Sequence, residues 1–128
     1  ITPDLLVEAG FEYTADWILD DQPCEINTDN GTLYSVPYTT ELNDIPIMLS
    51  QSHVSSVLYD RTMDYVDVLY EEGKDNVRVM SVAVHPYIHG VPHRIKYFRK
   101  IFEELSGRPG VVFMTGAQIL DWYLAQQD

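Results

Sequence analysis

Ser81-Val82-Ala83-Val84-His85-Pro86-Tyr87-Ile88-His89-Gly90-Val91-Pro92-His93-Arg94 decides how the rest of the chain is read. Val77 to His85 is apolar on both faces, which predicts a covered, central strand. His85 stands where that strand stops, because the proline after it biases it away from helical conformation. A turn marked by Pro86 and Gly90 follows, and Pro92 suits the first position of a new helix. A titratable side chain at the carboxyl end of a buried strand is the usual position of an active-site group in a parallel α/β fold. An imidazole there can hand a proton to a leaving group or bind a metal. It can equally be a histidine satisfied by local hydrogen bonds at a sheet edge.

Outward from this stretch, the pattern alternates. Asp60 is expected to cap a helix over 61–72, with Met63, Val66, Leu69 and Tyr70 on its apolar face and Gly73 at its end. Pro92 opens a helix with Ile95, Phe98, Ile101, Phe102 and Leu105 on one side and Gly107 as its stop. Val111 to Met114 reads as a second buried strand. Thr115 and Gln118 match a capping box, followed by Ile119, Trp122 and Tyr123 on the face of a last helix. Helix, strand, helix, strand, helix implies parallel strands with helical crossovers, an α/β chain. The first half is less regular. A short helix over 3–9, capped by Thr2, leads to a strand at 11–13 and a long acidic loop over 14–31. A strand at 33–36 and an extended apolar piece at 46–49 follow.

The chain has 128 residues, enough for one domain with a real core, and is expected to be a single partial domain over 1–128. It opens on Ile1 rather than methionine, and is expected to be a piece of a longer protein. No apolar run reaches membrane-spanning length. Cys24 is the lone cysteine, so an internal disulfide is excluded and a reducing, cytoplasmic setting is expected. Formal net charge is −12, and residues 1–60 carry eleven acids and no Lys or Arg. Phosphate binding needs clustered cations, so nucleic acid and anionic membrane are not expected partners.

Other candidates are weaker. His85, His89 and His93 recur every fourth residue, but Pro86, Gly90 and Pro92 interrupt a helical metal-binding face. Asp16-Trp17 in the long loop can line a polar, sugar-binding pocket, or the tryptophan can simply anchor the loop. Cys24 has no basic neighbour in sequence to lower its pKa.

Taken in order, these motifs resemble the polysaccharide deacetylase family, in particular its branch with cofactor-independent bacterial allantoinases. The residues that carry the likeness are Leu5 to Phe11 with Tyr13, Ala15-Asp16-Trp17, and Asp20-Asp21-Gln22-Pro23. Further on they are Val36-Pro37-Tyr38-Thr39, Asn43-Asp44, Val68 to Gly73, and His85 to Arg94. The resemblance implies the C-terminal part of a distorted (β/α) barrel. It also implies hydrolysis of a non-peptide carbon–nitrogen bond, in an N-acetyl amino sugar or a cyclic ureide. By that likeness His85 is the general acid, Asp16 its orienting partner, Trp17 a wall of the substrate pocket, and Arg94, in the turn that follows, a second substrate-binding residue. The family's divalent-metal motifs, an Asp-Asp strand end and a His-x-x-x-His pair, have no match here. The piece by itself is therefore expected to be inactive, with a metal only in the full-length parent. It is expected to pair with a second copy or with the missing half. The competing reading is a non-catalytic binding or assembly module of the same fold.

Overall fold

In the computed structural model, which describes residues 1–127, the chain divides into two compact units. One comprises Ile1–Tyr38 with the residues from Phe113 on; the other is Thr39–Val112.

The first unit is a small mixed sheet with two helices. Helix α1 (Thr2–Glu8) has proline in its first turn, and Ile1, not Thr2, stands at its N-cap with no side-chain hydrogen bond. Strand β1 (Tyr13–Thr14) pairs in parallel with β3 (Gly31–Ser35), in the register Tyr13 to Tyr34 and Thr14 to Ser35. The expected 14–31 loop is not all loop, for Cys24–Thr28 forms β2, antiparallel to β3. Its alternation of half-buried and exposed residues is the period of a strand. The turn is Asp29-Asn30, and Gly31 takes φ +134°, which a side chain would strain. Asp4 ties α1 to this turn, accepting from the Asp29 amide while its carbonyl accepts from the Asn30 side chain. Helix α5 (Gly116–Leu124) opens with the expected capping box of Thr115 and Gln118. Its buried residue is Leu120, while Tyr123 meets Tyr34 edge to face.

The second unit is built on α2 (Val57–Glu72) and α4 (Pro92–Ser106). Helix α2 starts four residues before the expected Arg61, at the Ser56 N-cap, so Asp60 lies in its first turn rather than capping it. The core joins Ile47, Leu58, Val66, Ile101 and Leu105, with Met80, Val82, Val84 and Phe98 packed on it. The apolar piece at 46–49 is helical, not extended. Ile45–Ser50 forms a wide turn of π type, opened by Pro46 and bonded from the Gln51 amide to the Pro46 carbonyl.

The two strands expected in this half do not form ladders. Residues 77–84 form no named strand; Ala83 makes a parallel bridge to Asn43, and Ser81 exchanges hydrogen bonds with Thr39. Residues 111–114 have no ladder. Apolar β-branched sequence favours an extended backbone, but a ladder needs a second strand to bond to. Met80, Val82 and Val84 pack on the core, whereas at 111–114 the side chains expected to be buried are open, Val112 at 74% and Phe113 at 55%. Among the described residues, no helix is long and apolar enough to cross a membrane.

Candidate active site

Two segments of the second unit, 39–44 and 81–85, are stitched side by side, the first turning through a 3₁₀ helix at Thr40–Leu42. Thr39 and Ser81 exchange hydrogen bonds, each amide donating to the other's hydroxyl, at 2.9 and 3.2 Å. The Ala83 amide donates to the Leu42 carbonyl and the Asp44 amide to the Ala83 carbonyl, at 3.0 and 3.1 Å. This short parallel pairing brings Asp44 and His85 together at its carboxyl end. His85 is extended, at φ −111° and ψ 129°, as the following proline requires. Its carbonyl accepts from the amides of Ile88 and His89, which starts the single turn α3 (Pro86–His89).

Asp44 is completely buried and is the hub of the cluster. Its Oδ1 lies 2.7 Å from Nδ1 of His85. Its Oδ2 accepts from the His85 amide at 2.8 Å and lies 3.0 Å from Nδ1 of His89. Burial alone would raise the Asp44 pKa. Hydrogen bonds from the His85 amide and from the two imidazoles, together with charge attraction to His85, outweigh it, so the carboxyl is held below its ordinary value. The two histidines differ in access. The His85 side chain is 37% exposed and the His89 side chain 2%. A carboxylate buried behind an accessible imidazole is an arrangement for orienting a proton carrier and stabilising its charged form.

His85 is thus where sequence reasoning placed it, at the end of an extended segment and open to solvent. The carboxylate bonded to its Nδ1 is Asp44. Asp16 belongs to the other unit, where its side chain accepts a hydrogen bond from the Thr14 hydroxyl. Trp17 lies in the same unit as Asp16 and is exposed. Arg94 sits at the start of α4, and its Nη1 donates to the Ile88 carbonyl at 3.2 Å, fastening α4 to the α3 turn. Gly90 closes that turn under tight steric limits, since a Cβ there would come within 2.3 Å of the Pro86 carbonyl oxygen.

Asp44 lies in the Asn43-Asp44 motif that carries the family likeness, with no site role assigned to it there. It is a lone acid between Leu42 and the apolar run Ile45 to Leu49, a setting in which an acid is buried along with its neighbours. His89 carried no separate signal from the histidine spacing.

The described residues do not form the divalent-metal site that the resemblance implies. None of their His, Cys, Asp and Glu side chains make a group of three or more able to hold a metal ion. Asp44 already spends both oxygens on hydrogen bonds, and the histidines spend Nδ1 on Asp44. His93 does not join His85 and His89 on this carboxylate; it is exposed.

The chain is 31% identical over 121 residues to a Schizosaccharomyces pombe (strain 972 / ATCC 24843) protein described as a "Putative polysaccharide deacetylase". The match takes in 90% of this chain and 38% of that protein. The crystal structure of Puue allantoinase superposes with a TM-score of 0.86 at 26% identity, over 94% of this chain and 41% of the other. A "probable Polysaccharide deacetylase" from Pseudomonas aeruginosa PAO1 superposes with a TM-score of 0.82 at 24% identity, over 95% and 42%. The chain therefore spans about two fifths of the length of the relatives it matches. Its fold is that of the corresponding part of these proteins. No family model matches the chain.

Proposed function

We propose that this chain, which belongs to the polysaccharide deacetylase family, carries the proton-delivering side of a site that hydrolyses a non-peptide carbon–nitrogen bond. The observation that supports this reading is the accessible imidazole of His85 held through Nδ1 by the buried carboxylate of Asp44. Amide and ureide nitrogens are poor leaving groups until protonated, and a positioned imidazolium can supply the proton as the bond to carbon breaks. Asp44 keeps the ring in one orientation and stabilises its positive charge, while Nε2 is the atom left to give up the proton. Arg94 and Gly90 hold the turn on which His85 stands. The substrate classes are those suggested by the relatives, an N-acetyl amino sugar or a cyclic ureide such as allantoin. The water-activating groups are expected from the three fifths of the family's length that the chain does not span.

The test is complementation with that remaining portion taken from the S. pombe relative, following release of acetate from acetylated amino-sugar oligomers and ring opening of allantoin. Neither piece alone is expected to turn over. Together they are expected to hydrolyse one of the two classes, and His85→Ala should lower the rate by about 10²- to 10⁴-fold, the usual contribution of general acid catalysis. Equal turnover with His85→Ala would remove His85 from the chemistry. A complemented pair without turnover on either class would favour the assembly-module alternative, which the open apolar side chains at Val112 and Phe113 support.

A further inference from the structure

Two histidines share one carboxylate, and their surroundings are unequal. An ionised carboxylate only accepts, so the ring nitrogens facing Asp44 must both carry hydrogens. That leaves each neutral ring with a lone pair on Nε2. In His85 this ring is partly open to solvent. In His89 the Nε2 atom is buried and has no hydrogen-bond partner among the described residues. A second proton on His89 would be a buried positive N–H with nothing to accept it, and its full desolvation cost would go uncompensated. One negative charge on Asp44 also cannot offset two imidazolium ions.

We propose that His89 is a positioning residue: its Nδ1–H pins Oδ2 of Asp44 so that Oδ1 holds His85 in the Nδ1–H form. Three donors converge on the carboxylate, and two of them come from His85 itself, through its amide and its ring. His89 is the third point of attachment. Its own amide is bonded to the His85 carbonyl, so the clamp and the residue it steadies sit on one turn. The charged and titratable groups facing this turn are Asp44, His85 and, through the Ile88 carbonyl, Arg94. The significance of the clamp for catalysis rests on the reading of His85 as proton donor, but the clamp is measurable without activity.

The experiment is nitrogen-15 NMR of the histidine rings in the intact chain, between about pH 5 and pH 8, a range that spans the ordinary histidine pKa. The neutral forms of both His89 and His85 are expected to be the Nδ1–H tautomer. H89L, which removes the donor, should lower the Nδ1–H to Nε2–H ratio of His85 by roughly fivefold, the equivalent of about one net hydrogen bond. H89N, whose amide can stand in for Nδ1–H, should keep the ratio. A purely structural His89 would leave the His85 ratio untouched in a folded H89L. That result overturns the proposal, as does a neutral His89 that carries its proton on Nε2 instead of Nδ1. If H89L fails to fold, the wild-type His89 spectrum and H89N decide. A chain that shows the clamp yet supports no hydrolysis after complementation would sink the functional reading and leave this one standing.

Discussion

Asp44 is fully buried and accepts three hydrogen bonds, and its charge gives the site a pH signature. Its folded pKa lies below the unfolded value of about 3.9. Between those two values the unfolded chain binds more protons than the folded one, so stability rises with pH there. The contribution is complete above the unfolded value and fades as pH falls through the folded one. Asp44→Asn should therefore lower stability at pH 7 by roughly 1–3 kcal/mol, since an amide placed against these donors leaves buried groups unsatisfied. Its loss of stability below about pH 4 should also be shallower than that of the parent. Urea unfolding midpoints at pH 7, 5, 4 and 3 measure both. Equal slopes in the two proteins would mean that Asp44 is not the group titrating. The same residue shows how far a site can be read from sequence. His85 announced itself through the strand end and Pro86. Asp44 lies 41 residues away, and only the parallel pairing of 42–44 with 83–85 brings the two together. No local pattern encodes that pairing.

Helices were legible because their periodicity is a property of a single segment; of the strands, the pieces expected at 11–13 and 33–36 overlap β1 and β3, but which segments pair is a property of two segments and was not legible. The faces read for α4 and α2 include Ile101, Leu105 and Val66, and all three are in the core. The short strand β2 was passed over as loop because its acidic and polar composition hid a two-residue alternation, although Asn30-Gly31 marked the turn. The segment at 77–84 has the parallel contact expected of it, though only as a bridge, and packs Met80, Val82 and Val84 on the core, while at 111–114 no ladder forms and Val112, Phe113 and Met114 are exposed rather than buried. Two substitutions test the elements themselves. Ile101→Ala should cost about 2–5 kcal/mol, as for other buried aliphatic truncations, while exposed Phe102→Ala should cost clearly less. Thr115→Ala removes the acceptor for the Gln118 amide and should cost about 1 kcal/mol through the cap of α5. Denaturant titrations by circular dichroism rank the three. Phe102 proving as costly as Ile101 would mean that the inner face of α4 is misassigned.

For the molecule as a whole, two opposing features act on association. The extended segments carry open apolar side chains, with Val77, Val112, Phe113 and Met114 all exposed. Apolar strand-forming segments with a sparse ladder are templates for pairing with another chain. Against this stands a net charge of −12, with eleven acids and no basic residue in the first sixty positions. Two copies repel each other at low ionic strength, and added salt screens that repulsion without weakening apolar burial. We therefore expect the chain to self-associate in solution, with an average mass that rises as salt is raised from about 0.01 M to about 1 M. Over that range the screening length shrinks from roughly 30 Å to 3 Å. Attraction based on ion pairs between copies would respond in the opposite direction, so the sign of the salt effect separates the two causes. Val112→Lys adds a charge to the most exposed of these apolar side chains and should return the chain toward monomer at every salt concentration. Multi-angle light scattering at tens of micromolar reads the outcome. A parent chain that stays monomeric across the whole salt range would show that the exposed segments are not an association surface. The family's remaining portion would then be their expected cover only when it is joined to them.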